Sequence, residues 1–477
     1  MADAQRGAVF RLLLLTIRQL KALAKKLFGF QKLRYTCYEF GHTWTPSCRD
    51  AAFGVLWSSL KASLKIYSTV YLVTALIKRR KLDYYLHVVW KDILRSTAFL
   101  TANAFCFIGT FCSWSHLVGG FDRFNTYASS ALASALALAA IERPSRHGML
   151  ALYTTNLALE TLCNMLTDRG ILPRVPFGEV ILFSSAMSGF LHLFRTADGL
   201  DSFTKRILIF IFGTDELAQD LRPSQEFSLA SLACHIPQYC KAPLARFLSM
   251  RCFMVKHARC THRWGCLLNS LEKFLRGFGI GYGLNALLQI PKMIGLLRQG
   301  KNPIGQLLSS PGNYSCGLFL ATLSSIHQAI SCSLRWVRGK TQPNVDGLIS
   351  GAVAGLSLYF YRSSAVSLYV FIRLIDLLVK RLSTKGWLPT VENGYVYLYT
   401  LTTALLFHAA IWSPHNIRPP YWKFMLNITG GKFKEMNRRL IDKKFGTDCS
   451  RLYPDFWPNY DARFTDLLTA DSLNQLR

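Results

Sequence analysis

This sequence predicts an all-α, multispan membrane protein made of two tandem homologous helical modules, with four or five membrane helices each, packed through stripes of small residues. Three observations predict it. Only 17% of the 477 residues are charged and 51% are hydrophobic, whereas soluble domains usually carry about 25% charged residues. Tracts such as 124–141 and 345–361 contain no Lys or Arg, and each is near the shortest helix that crosses roughly 30 Å of hydrocarbon. Finally, the second half of the chain repeats the first.

The charge balance is lopsided, with 56 Lys and Arg against 27 Asp and Glu. Basic clusters at 77–81, 334–340 and 430–444 flank apolar spans, where they bind anionic lipid headgroups or hold topology. A nucleic-acid interface is excluded, because these clusters form no soluble basic module. Residues 6–30 contain Arg11, Arg18, Lys21, Lys25 and Lys26 within an apolar run. They read as an interfacial amphipathic helix or as an organelle-targeting presequence. Thirteen cysteines, with Cys106, Cys112 and Cys163 inside spans, favour a reducing setting over a disulfide framework.

Along the chain, spans are expected near 52–77, 93–118, 124–141, 148–166 and 178–194, then 274–297, 312–333, 345–361, 364–381 and 394–413. Five spans per half would send the basic N-terminus and the basic 195–270 region to opposite faces. Either one span per half does not cross or charge does not decide; Lys61 and Lys65 make 52–77 the weakest. A shift of 216 positions aligns Leu132 to His192 with the second half without a gap. It matches Arg146 with Arg362, Tyr153 with Tyr369, Gly170 with Gly386, Pro173 with Pro389, Gly178 with Gly394, and His192 with His408. Glu160 meets Asp376 in the same register.

Each half opens on a Cys/His element: Cys37, His42 and Cys48 in the first, and Cys252 with His257 in the second, followed by Cys260, His262 and Cys266. Thiolates and imidazoles suit zinc, but neither copy has C-x2-C and the first lacks a fourth ligand. The main reading is therefore a packed cap, with Tyr38, Phe40 and Trp44 anchored at the headgroups. Metal binding by Cys37, His42, Cys48, Cys252 and His257 is the alternative. Gly347, Gly351 and Gly355 stripe one helix face, with Ala131, Ala135 and Ala139 as their counterparts, and such stripes let helix backbones approach closely. A second set in 276–283 pairs Gly277 with Gly281 and Gly279 with Gly283. Glu160 and Asp376 read as a solute or proton pathway, or as ion pairs with Arg146 or Arg362. The chain has no G-x-S-x-G, P-loop or H-E-x-x-H, so no enzyme, catalytic residue or cofactor is expected.

The stretches CYEFGHTWTPSC (37–48), SLKIYSTVYL, KRRKLDYYLH, AFLTAN and RPPYWKFMLNITGGKF (418–433) resemble the transmembrane protein 135 family, also called peroxisomal membrane protein 52. The resemblance implies an integral membrane protein of peroxisomes and mitochondria. It also implies a role in mitochondrial fission and morphology and in fatty-acid and cholesterol metabolism, without catalytic residues. The second half also resembles Tim-type translocases, through Arg335, Arg338 and Asp346 ahead of the glycine stripe. The expected organisation is a basic N-terminal segment (1–34), a first module (35–197), a polar linker (198–251), a second module (252–413) and a basic tail (414–477). Expected partners are the bilayer, anionic headgroups and mitochondrial or peroxisomal membrane proteins. A transporter for a small metabolite or lipid, with its site between the repeats near Glu160 and Asp376, is the rival reading.

Overall fold

The computed structural model describes residues 32–196, 200–214, 255–262, 264–290, 296, 299–300 and 302–467. The amphipathic 6–30 segment, most of the polar linker and Cys252 lie outside the described residues. The described chain is helical apart from one isolated antiparallel bridge between Leu33 and Phe121. In chain order the α-helices are α1 (Cys37–Phe40), α2 (Cys48–Ile77), α3 (Leu82–His87), α4 (Val89–Val118), α5 (Arg123–Ile141), α6 (Pro144–Asp168), α7 (Gly178–Thr196) and α8 (Ser202–Phe212). Then follow α9 (Cys266–Leu288), α10 (Pro303–Leu308), α11 (Pro311–Arg338), α12 (Pro343–Gly355), α13 (Ser364–Thr384), α14 (Gly394–Trp412), α15 (Pro419–Ile428) and α16 (Arg439–Phe445).

Local chemistry sets many of these boundaries. Ser47 and Asp122 accept the backbone N–H three residues on, opening α2 and α5, and proline stands in the first turn of α6, α11 and α12. Both satisfy or remove donors that a helix N-terminus leaves unpaired. α4 and α11 end on Gly119 and Gly339 at φ 71° and 63°, and α6 and α13 are followed by Gly170 and Gly386 at φ 70° and 75°. Even the non-glycine Phe177 and Asn393, just before α7 and α14, share φ values of 58° and 56°. A left-handed backbone at matched positions is evidence for the internal repeat that hydropathy alone does not provide.

Among the described residues, five helical stretches are long and apolar enough to cross a membrane: Cys48–Ile77, Leu82–Val118, Arg123–Ile141, Pro311–Arg338 and Gly394–Trp412. The chain is an integral membrane protein. The other expected spans, as far as their residues are described, form helices that are too short or not apolar enough, and the end of the expected span 274–297 lies outside the described residues. α12 is only 13 residues long and passes into a 3-10 turn over Leu356–Tyr361. α2 keeps Phe53, Trp57, Val70 and Ile77 exposed along its length, the pattern of a lipid-facing helix.

The chain forms two compact units that do not coincide with its two halves: residues 1–172 with 391–477, and residues 173–390. In the first unit α2 packs on α4, α4 on α5, and α14 on both α5 and α6. In the second, α9 packs on α11, α11 on α12, and α7 on both α12 and α13. The packing order is the same, but the fifth helix of each half sits in the unit built by the other half. Residues 414–467, expected as a basic tail, belong to the folded core of the first unit. Trp422, Phe433, Met436, Leu440 and Ile441 pack there with Phe40, Phe111 and Phe121.

Candidate metal centres

The first Cys/His element is held by short-range bonds and then by aromatic packing. Thr36 and Glu39 form a reciprocal capping box at the start of α1, satisfying two orphan N-terminal donors. Phe40, 1% exposed, inserts among Phe111 and Phe121, with ring centroids 6.3 and 4.8 Å away. Burying such a ring contributes about 2 kcal/mol. Tyr38 and Phe40 are thus core residues of the unit rather than headgroup anchors.

This seating brings Cys37, His42 and Cys48 to Cys112 on α4, the fourth group that the linear pattern lacked. One donor atom from each lies within 4.8 Å of the others, with three of the four residues buried. His42 Nδ1 bonds the Thr45 carbonyl at 2.8 Å, while Nε2 stands 3.3 Å from Cys48 Sγ. His116, one turn beyond Cys112, approaches Cys48 Sγ at 3.6 Å and Cys37 Sγ at 4.0 Å. The Cys37 thiol is held well below the usual thiol range, chiefly by the hydrogen bond with Cys112 and secondarily by His42.

The second unit repeats the arrangement with Cys260, His262, Cys266 and Cys332, again within 4.8 Å. His262 Nδ1 bonds the Trp264 carbonyl at 2.6 Å and its Nε2 lies 3.4 Å from Cys332 Sγ. Cys260 Sγ is 3.7 Å from Cys266 Sγ and 3.9 Å from Cys332 Sγ, far beyond the roughly 2.05 Å of a disulfide. Arg335 Nη1 points at Cys260 Sγ from 3.7 Å. The Cys260 thiol is depressed, first by the bond with Cys332 and then by His262 and Arg335.

Of the second-half candidates Cys252 and His257, Cys252 lies outside the described residues. His257 stands outside the cluster, edge-on to Trp336 at 5.2 Å. Among the described residues the second cluster uses the shorter spacing Cys260-x-His262-x3-Cys266. Cys112 and Cys332 escaped the sequence reading because each sits inside an apolar helix. A signal was present, since Cys112-Ser113 and Cys332-Ser333 both precede, at the same spacing, the glycine that ends the helix, Gly119 or Gly339.

Residues 34–167 match the family described as the N-terminal cysteine-rich region of Transmembrane protein 135. That stretch holds all four residues of the first cluster and runs from the Cys/His element almost to the end of α6. No solved structure matches the chain. The transmembrane protein 135 match covers no part of the second cluster, which repeats the first by geometry rather than by the same spacing.

Beside the first cluster lies an apolar cavity of about 80 Å³, lined by Val55, Phe107, Phe111, Tyr399, Phe407 and Phe433 and reaching His42 and Cys112. The carboxylates singled out earlier lie elsewhere and are matched by cations. Glu160 pairs with Arg418, and Asp376 is bound by Arg373 at 2.8 Å and Lys380 at 2.9 Å. The expected partners are thus replaced. Arg146 instead meets Glu142 at 3.3 Å, and Arg362 meets Glu179 at 2.6 Å. Asp346 is fully buried against Arg338 Nη1 at 3.0 Å and Arg195 Nη1 at 3.7 Å. In the 430–444 cluster, Arg438 is buried and donates to the carbonyls of Ala410 and Phe433, so it holds the fold rather than a headgroup. The run Lys78, Arg79, Arg80 and Lys81 is exposed.

Proposed function

We propose that this chain is a non-enzymatic organelle membrane protein, resident in the peroxisome, the mitochondrion or both, that influences mitochondrial fission and morphology and peroxisomal fatty-acid and cholesterol metabolism. The observation that carries the reading is the match of residues 34–167 to the cysteine-rich region of Transmembrane protein 135. Its support in the molecule is architectural. Glu160, Asp376 and Asp346 are matched by cations of their own unit, and the Cys/His donors face one another. The exposed run 78–81 offers cations to anionic headgroups or to mitochondrial and peroxisomal membrane proteins. The test is replacement of the endogenous protein by a tagged full chain. Alkali-resistant membrane association in either organelle, with altered mitochondrial length on depletion, is expected. A tagged chain extracted by alkali, or depletion that leaves both mitochondrial shape and lipid content unchanged, overturns the reading.

The apolar cavity favours a second reading, a carrier for a lipid or small apolar metabolite, with the translocase-like Arg338–Asp346 pair as a structural element. Reconstitution into liposomes distinguishes the two. Flux that Val55→Trp, which fills the cavity, abolishes in a chain that still folds supports transport, whereas no flux from a folded chain supports the first reading.

A further inference from the structure

We propose that each unit holds one structural zinc ion, bound by Cys37, His42, Cys48 and Cys112 in the first and by Cys260, His262, Cys266 and Cys332 in the second. The inference is independent of the organelle function proposed above.

The donor set fits tetrahedral zinc in kind, number and spacing. Zinc takes thiolate sulfur at about 2.3 Å and imidazole nitrogen at about 2.0 Å. A tetrahedron of those bonds separates two sulfurs by about 3.8 Å and a sulfur from a nitrogen by about 3.5 Å. The Cys260 sulfur distances of 3.7 and 3.9 Å and the His–Cys distances of 3.3 and 3.4 Å fall on those values. In both clusters the histidine gives Nδ1 to a backbone carbonyl and leaves Nε2 facing the sulfurs. That outer bond orients a metal-binding imidazole and sets its tautomer. Four protein donors leave no open position for substrate, the hallmark of a structural rather than catalytic site. A zinc ion with three thiolates and a neutral imidazole carries one net negative charge, and Arg335 lies 3.7 Å from Cys260 in the second site.

Recurrence is the strongest support. The two sequences reach the same constellation through different local spacings, using the segment before a long helix (α2 or α9), the first residue of that helix, and a cysteine near the end of a later one (α4 or α11). Packing of small buried thiols does not require both copies of a repeat to keep all four donors while their spacing changes, whereas coordination does. Each ion would tie the pre-helix segment to α2 and α4, or to α9 and α11.

Elemental analysis of the full chain, purified in detergent with thiols reduced, tests this. Two zinc ions per chain are expected, one in Cys112→Ser, one in Cys332→Ser, and none in the double variant. The control variants Cys252→Ser and His257→Ala should keep both. Cobalt substitution of the wild-type chain should give thiolate-to-cobalt charge-transfer and tetrahedral d–d bands, a readout that does not depend on any variant folding. A reduced wild-type chain with no zinc that also fails to take up cobalt overturns the proposal. So does iron with inorganic sulfide in place of zinc. Loss of an ion in His116→Ala but not in His42→Ala overturns the ligand assignment in the first site.

Discussion

Glu160 lies on α6 with its carboxylate against the Arg418 guanidinium, both only partly exposed. Removing one partner of such a pair strands the other charge, a larger loss than the pair's net contribution. Arg418→Ala should therefore cost about 3 kcal/mol in a denaturant titration in detergent, and adding Glu160→Gln should recover part of it. At the end of α6, Asp168 accepts from His415 at 3.0 Å and from Asn416 at 3.4 Å. The His415 bond, ahead of Asn416 and Arg451, holds its carboxyl below the usual range. A depressed carboxylate contributes stability above its unfolded value of about 3.9 and loses it as pH falls through the folded value. The stability gap between the parent and Asp168→Asn should thus be present at neutrality and close as pH falls below about 4. A gap that stays unchanged across the whole acid range argues against this pairing. The ionisable residues were visible in the sequence, but their partners were not. Arg418 is 258 positions from Glu160, and no periodicity connects them.

Among the elements, the glycine stripe on α12 was legible because its four-residue spacing is a helix-face signature. A Cβ added at Gly351 would stand 2.5 Å from the Met187 carbonyl oxygen on α7, and one at Gly347 would stand 2.7 Å from that of Leu191. Backbone cannot yield as a side-chain tip does, so Gly351→Val should cost about 3 kcal/mol or more. Gly279 faces open space, and Gly279→Ala should stabilise α9 by about 0.5–1 kcal/mol through helix propensity alone. Equal effects at the two positions would refute the close approach. The alanine counterpart was misaligned. Leu138 and Leu358 are both fully buried, and Tyr127 stacks on His408 at 4.1 Å where Gly347 meets His192. The register in α5 is therefore 220, so Ala131 and Ala135 stand for Gly351 and Gly355, and Ala139 is exposed. The 216 register returns by the ends of α6 and α13. The four-residue difference is close to one helical turn, so both alignments keep the same face inward and the sequence could not separate them.

At the scale of the whole molecule, the exchange of α7 and α14 makes a prediction about cutting the chain. A chain cut between residues 215 and 254 and coexpressed as two fragments should copurify, because each fragment lacks the helix that completes its own unit. Either fragment expressed alone should aggregate or be degraded. Two independently stable fragments would show that each half folds by itself. All-α character, the membrane class, the repeat and the small-residue face follow from composition and period, which are properties of neighbouring residues. Which half receives each fifth helix, where Cys112 and Cys332 meet their partners, and the folding of residues 414–467 into the core depend on contacts across long stretches of chain. Homologous helices in a repeat carry the same apolar pattern, so local pattern cannot choose between them; only the closed packing of the complete chain does.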